Sequence, residues 1–439
     1  MKRLWCGVLF LLSIITVVPK LAAQIELPEP ITAANINELR LQVDIPWQAG
    51  GQDLDVQWLS DGRTIAIATK LGVRTFDLSK SDNQPTQIYD KTNWMKCVDY
   101  VPDRSVLVSC DTQTSTAWLW DRYGGEKLAT LANGESVLEY SRFSPNGKLL
   151  AVINGFERGI FIWGVNDGKD SITSGNARQI KRLKLLDHAA YPSHMSFSPD
   201  GNLLASVTGK TLWIWDLVAL KVKTLKTYDA SIYSVAFSPD GQWLALGMYM
   251  RGHYLIHLVN ITDANQTRDL ISDLLLDAPN DVNFSPDGKL LVSAHNDGRI
   301  MIWNVADGHL LHTIDDVSGL AWRAVFNRDN TLLATINFNQ GVRIWGVGDA
   351  LARIPKPILA LNTQAVVMLA KTGDVLNMRA EAGTKAERVL QLKANAIVTL
   401  VDGPAEADNL TWWKVRNANG VEGWVVEAVD GEQTLTPDY

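Results

Sequence analysis

Cysteine is scarce: the 439-residue chain has three. Cys6 precedes any sensible leader cleavage point, which leaves Cys97 and Cys110 for the folded protein. No Leu-x-x-Cys box follows the N-terminal apolar run, so no lipid anchor is expected. Catalytic signatures are missing too: there is no Gly-x-Ser-x-Gly elbow, no His-Glu-x-x-His, no phosphate loop and no dinucleotide fingerprint. No stretch is rich in lysine or arginine, and the formal charge is −7. Loss of Lys2, Arg3 and Lys20 with a leader removes three positive charges from −7 and no acid, leaving about −10. That balance argues against nucleic acid or an anionic membrane as partner.

Long apolar runs are also few. One, Leu4 to Val18, has the length of a signal sequence and is short for a membrane span. Residues 1–23 therefore read as a secretory signal, with Lys2 and Arg3 as the charged start and Leu21-Ala22-Ala23 as the cleavage end. The alternative is an uncleaved anchor. Both place the bulk of the chain outside the cytoplasm, and after cleavage no membrane insertion is expected.

What the chain does have is a repeated unit. Residues 281–314 hold short runs rich in Val, Ile, Leu and Trp, with turn chemistry between them. Ser285-Pro-Asp-Gly288 has type I turn preferences, and Asn296-Asp-Gly298 and Ala306-Asp-Gly308 are hairpin signals. The unit is a four-stranded antiparallel meander, apolar on both faces, and it needs a neighbour on each side. The turn recurs as Ser144-Pro-Asn-Gly147, Ser198-Pro-Asp-Gly201 and Ser238-Pro-Asp-Gly241, with weaker copies at Ser60-Asp-Gly62, Val101-Pro-Asp-Arg104 and Asn327-Arg-Asp-Asn330. About twenty residues after each comes a third-strand signature, as in Trp118-Leu-Trp120-Asp121, Leu212-Trp-Ile-Trp215-Asp216, Ile300-Met-Ile-Trp303 and Val342-Arg-Ile-Trp345.

Seven copies in this order and spacing resemble the WD-repeat family over about residues 36–350. The resemblance implies a seven-bladed β-propeller, assigned to residues 24–350. Glu38-Leu-Arg-Leu-Gln-Val-Asp44 alternates strictly yet follows no blade, so it is expected as the outer strand of blade seven, closing the ring. The alternative outer strand, Lys356 to Leu361, is disfavoured by Pro355 and Pro357. Cys97 and Cys110 fall on the first hairpin of blade two. A two-residue turn at Asp103-Arg104 opposes them, which permits a disulfide in an oxidising compartment; a three-residue turn puts them on opposite faces as separate thiols. Gly247 to His253 reads as a long, apolar connection between the second and third strands of blade five.

A linker over 351–365 precedes a change of pattern. Leu376-Asn-Met-Arg379, Ala382-Gly-Thr384, Trp412-Trp-Lys-Val415 and Gly423-Trp424-Val425 resemble, in order and spacing, the bacterial SH3-type module of cell-wall-associated proteins. The fold class is thus all-β: a propeller followed by a small SH3-like barrel of five strands over 366–435. The resemblance implies that the barrel binds cell-wall peptide or a related extended ligand. One of the adjacent Trp412 and Trp413 is expected to face out and line a groove, with Trp413 the candidate.

Candidate contacts concentrate on one propeller rim. The inner strands begin at Leu54, Lys96, Glu139, Ser193, Tyr233, Asn280 and Trp322, where the family frequently meets partners. With Trp94 and Tyr191 two residues before such positions, and Tyr249 in blade five, the rim should present Trp94, Lys96, Glu139, Tyr191, Tyr233, Tyr249 and Trp322. The alternative is that the rings pack between blades. His253 and His257 share a strand face, yet no acid or cysteine clusters with them, so no metal and no cofactor is expected. In the WD family a His, a strand Ser or Thr, a turn Asp and the Trp form a buried network. Blade six holds Ser293, Asp297 and Trp303 in those places without the usual Gly-His pair, which makes these residues structural. Asn260, Asn265 and Asn409 match the glycosylation pattern, a chance match in a bacterial-looking chain. The expected function is an exported, non-enzymatic scaffold for a protein or peptide partner. The alternatives are a channel hydrolase or lactonase, for which the rim offers only Glu139 and Lys96, and an extracytoplasmic sensory ectodomain.

Overall fold

The computed structural model describes residues 28–46, 53–80, 84–90, 93–101, 106–111, 113–122, 125–132, 138–154, 158–165, 181–188, 190–315, 319–338, 340–351, 364–367, 375–429 and 432–438. The leader, residues 166–180 and most of the expected linker lie outside the described residues.

Each blade is set by its first turn. In Ser285-Pro-Asp-Gly288 the Gly288 N–H donates to the Ser285 carbonyl at 2.9 Å, with Gly288 at φ +71°, a left-handed value that favours glycine. The Ser285 hydroxyl donates to Asp287 Oδ1 at 2.6 Å and accepts from the Leu290 N–H at 2.9 Å, which launches the second strand. Ser144, Ser198 and Ser238 repeat the arrangement. Blade seven achieves it with an amide, since Asn327 Oδ1 accepts from the Thr331 and Leu332 N–H groups.

Seven four-stranded antiparallel sheets result. Six take their strands in chain order. The seventh runs Ala321–Phe326, Leu332–Asn337 and Gly341–Val347, and its outer strand is Leu39–Pro46, paired from Leu39 opposite Val347 to Pro46 opposite Gly341. The inner strand of blade seven lies against that of blade one, Asp53–Trp58, so the ring is closed. Apolar faces of neighbouring blades form the core between them. Leu290, Val292 and Ile302 of blade six meet Phe326, Leu333 and Trp345 of blade seven, and the lead adds Ile31 and Ile36 to the same cluster.

Three expectations need correction. First, blade five has no long connection: its strands run Trp243–Met250 and His253–Asn260, joined by Arg251 and Gly252 at φ +52° and +89°. Two consecutive positive φ values make a tight hairpin turn whose twist matches the strands, so alternation simply continues into the overhang. Second, the tail sheet has seven strands, not five, and begins at Gln364–Val367, inside the stretch read as linker; Leu435–Asp438 pairs with that strand and extends the unit past 435. Third, Trp412 and Trp413 are both buried in the tail core. The register shifts between Leu400 and Ala405 let the bulged segment fold back over the outer face, with the Gly403 Cβ direction 3.2 Å from the Trp413 ring. Trp413 Nε1 donates to Glu427 at 2.8 Å, and the ring is buried rather than facing out. Trp424 is half-buried.

Cys97 and Cys110 are register partners in blade two, Cα atoms 5.1 Å apart, and form a disulfide. The strands therefore adopt the register in which the two cysteines oppose one another. Both are fully buried.

Candidate functional site

Six of the seven inner strands begin with a register shift, between Asp53 and Asp55, Met95 and Cys97, Leu138 and Tyr140, Ile232 and Ser234, Pro279 and Asp281, and Ala321 and Arg323. The skipped residue in each is Leu54, Lys96, Glu139, Tyr233, Asn280 or Trp322, the positions read from the sequence as the mouth of the channel. A bulge leaves its extra residue outside the ladder and re-aims its side chain. Blade four has no such shift, and Ser193 precedes its inner strand, His194–Phe197.

The rim residues sort into two groups. On blades one to three, Lys96 and Glu139 form an ion pair across neighbouring blades. Trp94 is 36% exposed, and Lys70 Nζ sits 4.2 Å from the centre of its ring. On blades five to seven the surface is aromatic and apolar. Trp322 is 38% and Tyr249 41% exposed, and Leu274 and Leu276 are exposed on the connection between blades five and six. The Tyr249 ring lies 4.9 Å from that of Tyr254, which lies 6.3 Å from that of half-buried Tyr233. Tyr191 is exposed on the connection leading into blade four. The structure thus joins Lys96 to Glu139 and Tyr233 to Tyr249 through Tyr254, while Trp413 lies in the tail core.

Sequence reasoning missed what lies immediately below the rim. The residues after the mouth positions are Asp55, Cys97, Tyr140, His194, Ser234, Asp281 and Arg323. Several of these meet across the bore. Arg323 Nε is 3.0 Å from Asp55 Oδ1 and also donates to the Val56 carbonyl, while its Nη1 donates to the Tyr140 hydroxyl at 2.9 Å. Arg142 reaches Asp55 Oδ2 at 3.2 Å, and His194 Nε2 lies 3.3 Å from Asp281 Oδ1. Asp55, Asp281, His194 and Arg323 are all buried. Burial works against charge on Arg323, yet Tyr140, Asp55 and Asp281 more than reverse it and hold the guanidinium above its usual value. Burial likewise opposes ionisation of Asp281, and Arg323 and His194 outweigh it, so that carboxyl stays below the usual range. Asp99 differs: burial pushes it up to about 6 despite Arg142. These acids are consumed as counter-ions. Among the described residues, no group of three or more His, Cys, Asp or Glu is placed to hold a metal ion. The signal was legible as a polar residue directly after the mouth position in nearly every blade, but periodicity alone does not say which partners meet across a ring.

The buried tryptophan network is present in several blades. Trp120, Trp215, Trp303 and Trp345 donate from Nε1 to Ser109, Ser206, Ser293 and Thr335 at 2.8–3.1 Å. In blade six His295 Nε2 lies 2.7 Å from Ser293 Oγ, and in blade four His188 Nε2 lies 2.7 Å from Ser206 Oγ. Asp187-His188 stands where the Gly-His pair would, a substitution the sequence reading passed over. Burial pushes His188 and His295 down to about 4, so both are neutral struts. His257 is also paired, with Nδ1 2.6 Å from Asp269.

A model of the WD domain, G-beta repeat matches residues 180–216, 220–249 and 277–304, and a model of the bacterial SH3 domain matches residues 374–429. The chain thus carries WD repeats and a C-terminal bacterial SH3 domain. The chain is 28% identical over 177 residues to the small ribosomal subunit protein RACK1y of Oryza sativa, covering 38% of this chain and 47% of the relative. Over 130 residues it is 34% identical to the mouse WD repeat and SOCS box-containing protein 1, covering 26% and 28%. A WD repeat-containing protein of Synechocystis is 29% identical over 144 residues, covering 32% and 40%. The chain spans less than half the length of each of these relatives. The repeats matched by the family model lie mainly in blades four to six, where the Ser-Pro-Asp-Gly turn is kept intact. A WD-repeat ring joined to an SH3 unit is consistent with a protein-binding scaffold.

Proposed function

We propose that this WD-repeat protein is an exported, non-enzymatic scaffold whose bulged rim holds a protein partner and whose SH3 tail docks to cell-wall peptide or a similar extended ligand. One observation carries the reading: in six blades the residue at the channel mouth is swung out of the ladder by a bulge, and large side chains are exposed there. The channel favours binding over hydrolysis, since Asp55 and Asp281 are spent on Arg323 and Arg142. Export is supported by the charged and apolar start of the chain and by a fully buried disulfide, which forms in an oxidising compartment.

The test is capture from an envelope extract by immobilised protein. Trp322→Ala combined with Tyr233→Ala should abolish a saturable, stoichiometric capture while the melting temperature stays within a few degrees. Undiminished capture would remove the rim from the function. The tail is tested by sedimenting the protein with purified cell-wall material, with and without residues 364–438. Equal sedimentation would remove the tail's proposed role.

A further inference from the structure

The overhanging hairpin of blade five lifts Tyr249 and Tyr254 beside the bulged Tyr233. The three rings meet at tilted angles of 47° and 52°, with Tyr254 in the middle. Their faces are electron-rich, and a cation over such a face is attracted by the ring quadrupole. Asp277 stands close by: partial burial, then Tyr233, the Asp277 carboxyl group and Tyr249, hold the Tyr254 hydroxyl above the ordinary phenol range. The loop carrying Asp277 is pinned by Leu275, buried in the apolar cluster against which Tyr254 packs. Its neighbours Leu274 and Leu276 are 46% and 63% exposed. The site is therefore an acid and three rings bordered by aliphatic surface.

We propose that this cluster seats a lysine or arginine side chain of the protein partner, with the partner's flanking aliphatic residues on Leu274 and Leu276. The proposal rests on the rim reading and names its partner as a basic, amphipathic segment. Charge complementarity selects this occupant. The chain carries −7, which draws basic segments from a distance, and the ring faces with Asp277 discriminate against an acid at contact. Arg251, exposed at the hairpin tip, adds one like charge and lowers the affinity.

The experiment uses the full chain and a fluorescein-labelled peptide, Ala-Leu-Lys-Leu-Arg-Leu-Ala, followed by anisotropy, with a counterpart in which Glu replaces both basic residues. The basic peptide should bind and the acidic one should not. Tyr254→Ala, which changes no charge, should weaken binding about tenfold, as expected for loss of a desolvated cation–ring contact. Tyr254→Phe keeps the ring and should stay within about twofold. Asp277→Asn should weaken binding, and Arg251→Ala should tighten it. Equal binding of both peptides, or no effect of Tyr254→Ala, overturns the cationic seat. If the seat fails while the Trp322 and Tyr233 double variant still loses its envelope partner, the rim reading survives alone. If that variant also captures normally, both fall.

Discussion

The two rims of the ring are built by opposite rules. On one, the turn between first and second strands is repeated almost unchanged, with a hydroxyl or amide oxygen capping the second strand in blades three to seven. On the other, the bulged residues are Leu, Lys, Glu, Tyr, Asn and Trp, the hairpins differ in reach, and large rings are exposed. The first rim makes a blade, and every blade needs the same thing. The second is free of that demand, because a bulged residue contributes nothing to the ladder. Repetition marks where stability is fixed, and departure from it marks where recognition has room to vary.

The comparison breaks hardest if the ring is opened. Removing residues 24–44 deletes most of the strand that completes blade seven together with Ile31 and Ile36, both essentially fully buried. At roughly 2 kcal/mol for each of these two buried side chains, the loss is about 4 kcal/mol before any ladder bonds. Thermal unfolding should then show a broad, early transition; melting like the full chain would mean that the closing strand is dispensable.

Acid should loosen the buried histidine struts of blades four and six. His295 is pushed down to about 4, below its unfolded value, so its contribution is complete above pH 6.5 and is lost as pH falls through about 4. For this fully buried ring that is about 3 kcal/mol. His188 acts in the same sense, and Asp99, raised to about 6, acts in the opposite one, adding stability below pH 4 that is lost as pH rises through 6. Two histidines outweigh one acid, so denaturant midpoints should fall between pH 6.5 and 4. His295→Gln should flatten that slope, and an unchanged slope would show that the ring titrates elsewhere.

Reduction of Cys97–Cys110 is expected to cost about 3 kcal/mol, from the entropy returned to a loop of this size. The effect should appear as a lower melting temperature with partner capture retained at 25 °C.

The smallest stability effects sharpen the comparison most directly. Ser238→Ala on the repeated rim should cost about 1 kcal/mol, because the Trp243 N–H loses its acceptor, while leaving capture intact. Trp322→Ala on the variable rim should cost less than about 0.5 kcal/mol and impair capture. Denaturant titration and pull-down on the same pair of proteins check both halves. Swapped outcomes would mean that the rims have been assigned the wrong way round.

How much of this was legible follows from the same contrast. Ser285-Pro-Asp-Gly288 and its copies announce themselves because local chemistry dictates each one, and Leu39, Leu41 and Val43 betray the closing strand by strict alternation. The mouth positions were found by counting back from each strand, without the bulges that explain them. The Arg323–Asp55–Arg142 linkage was not visible, since it joins blades far apart in sequence through side chains that no period relates. The blade-five overhang was mistaken for a loop because Met248 and Met250 look like loop hydrophobes until Arg251 and Gly252 are seen to turn the chain within two residues. Trp413 failed for a similar reason: strand alternation puts it opposite Trp412, but a bulged segment covers that side as well.

Ring closure also imposes an order of events. Leu39 waits for Val347, so a chain emerging from its N-terminus carries an unmatched strand through the synthesis or passage of some three hundred further residues. During that interval its free edge is open to wrong pairings. The alternation of Arg40, Gln42 and Asp44 between its apolar residues keeps one face of the waiting strand wet until its proper neighbour arrives.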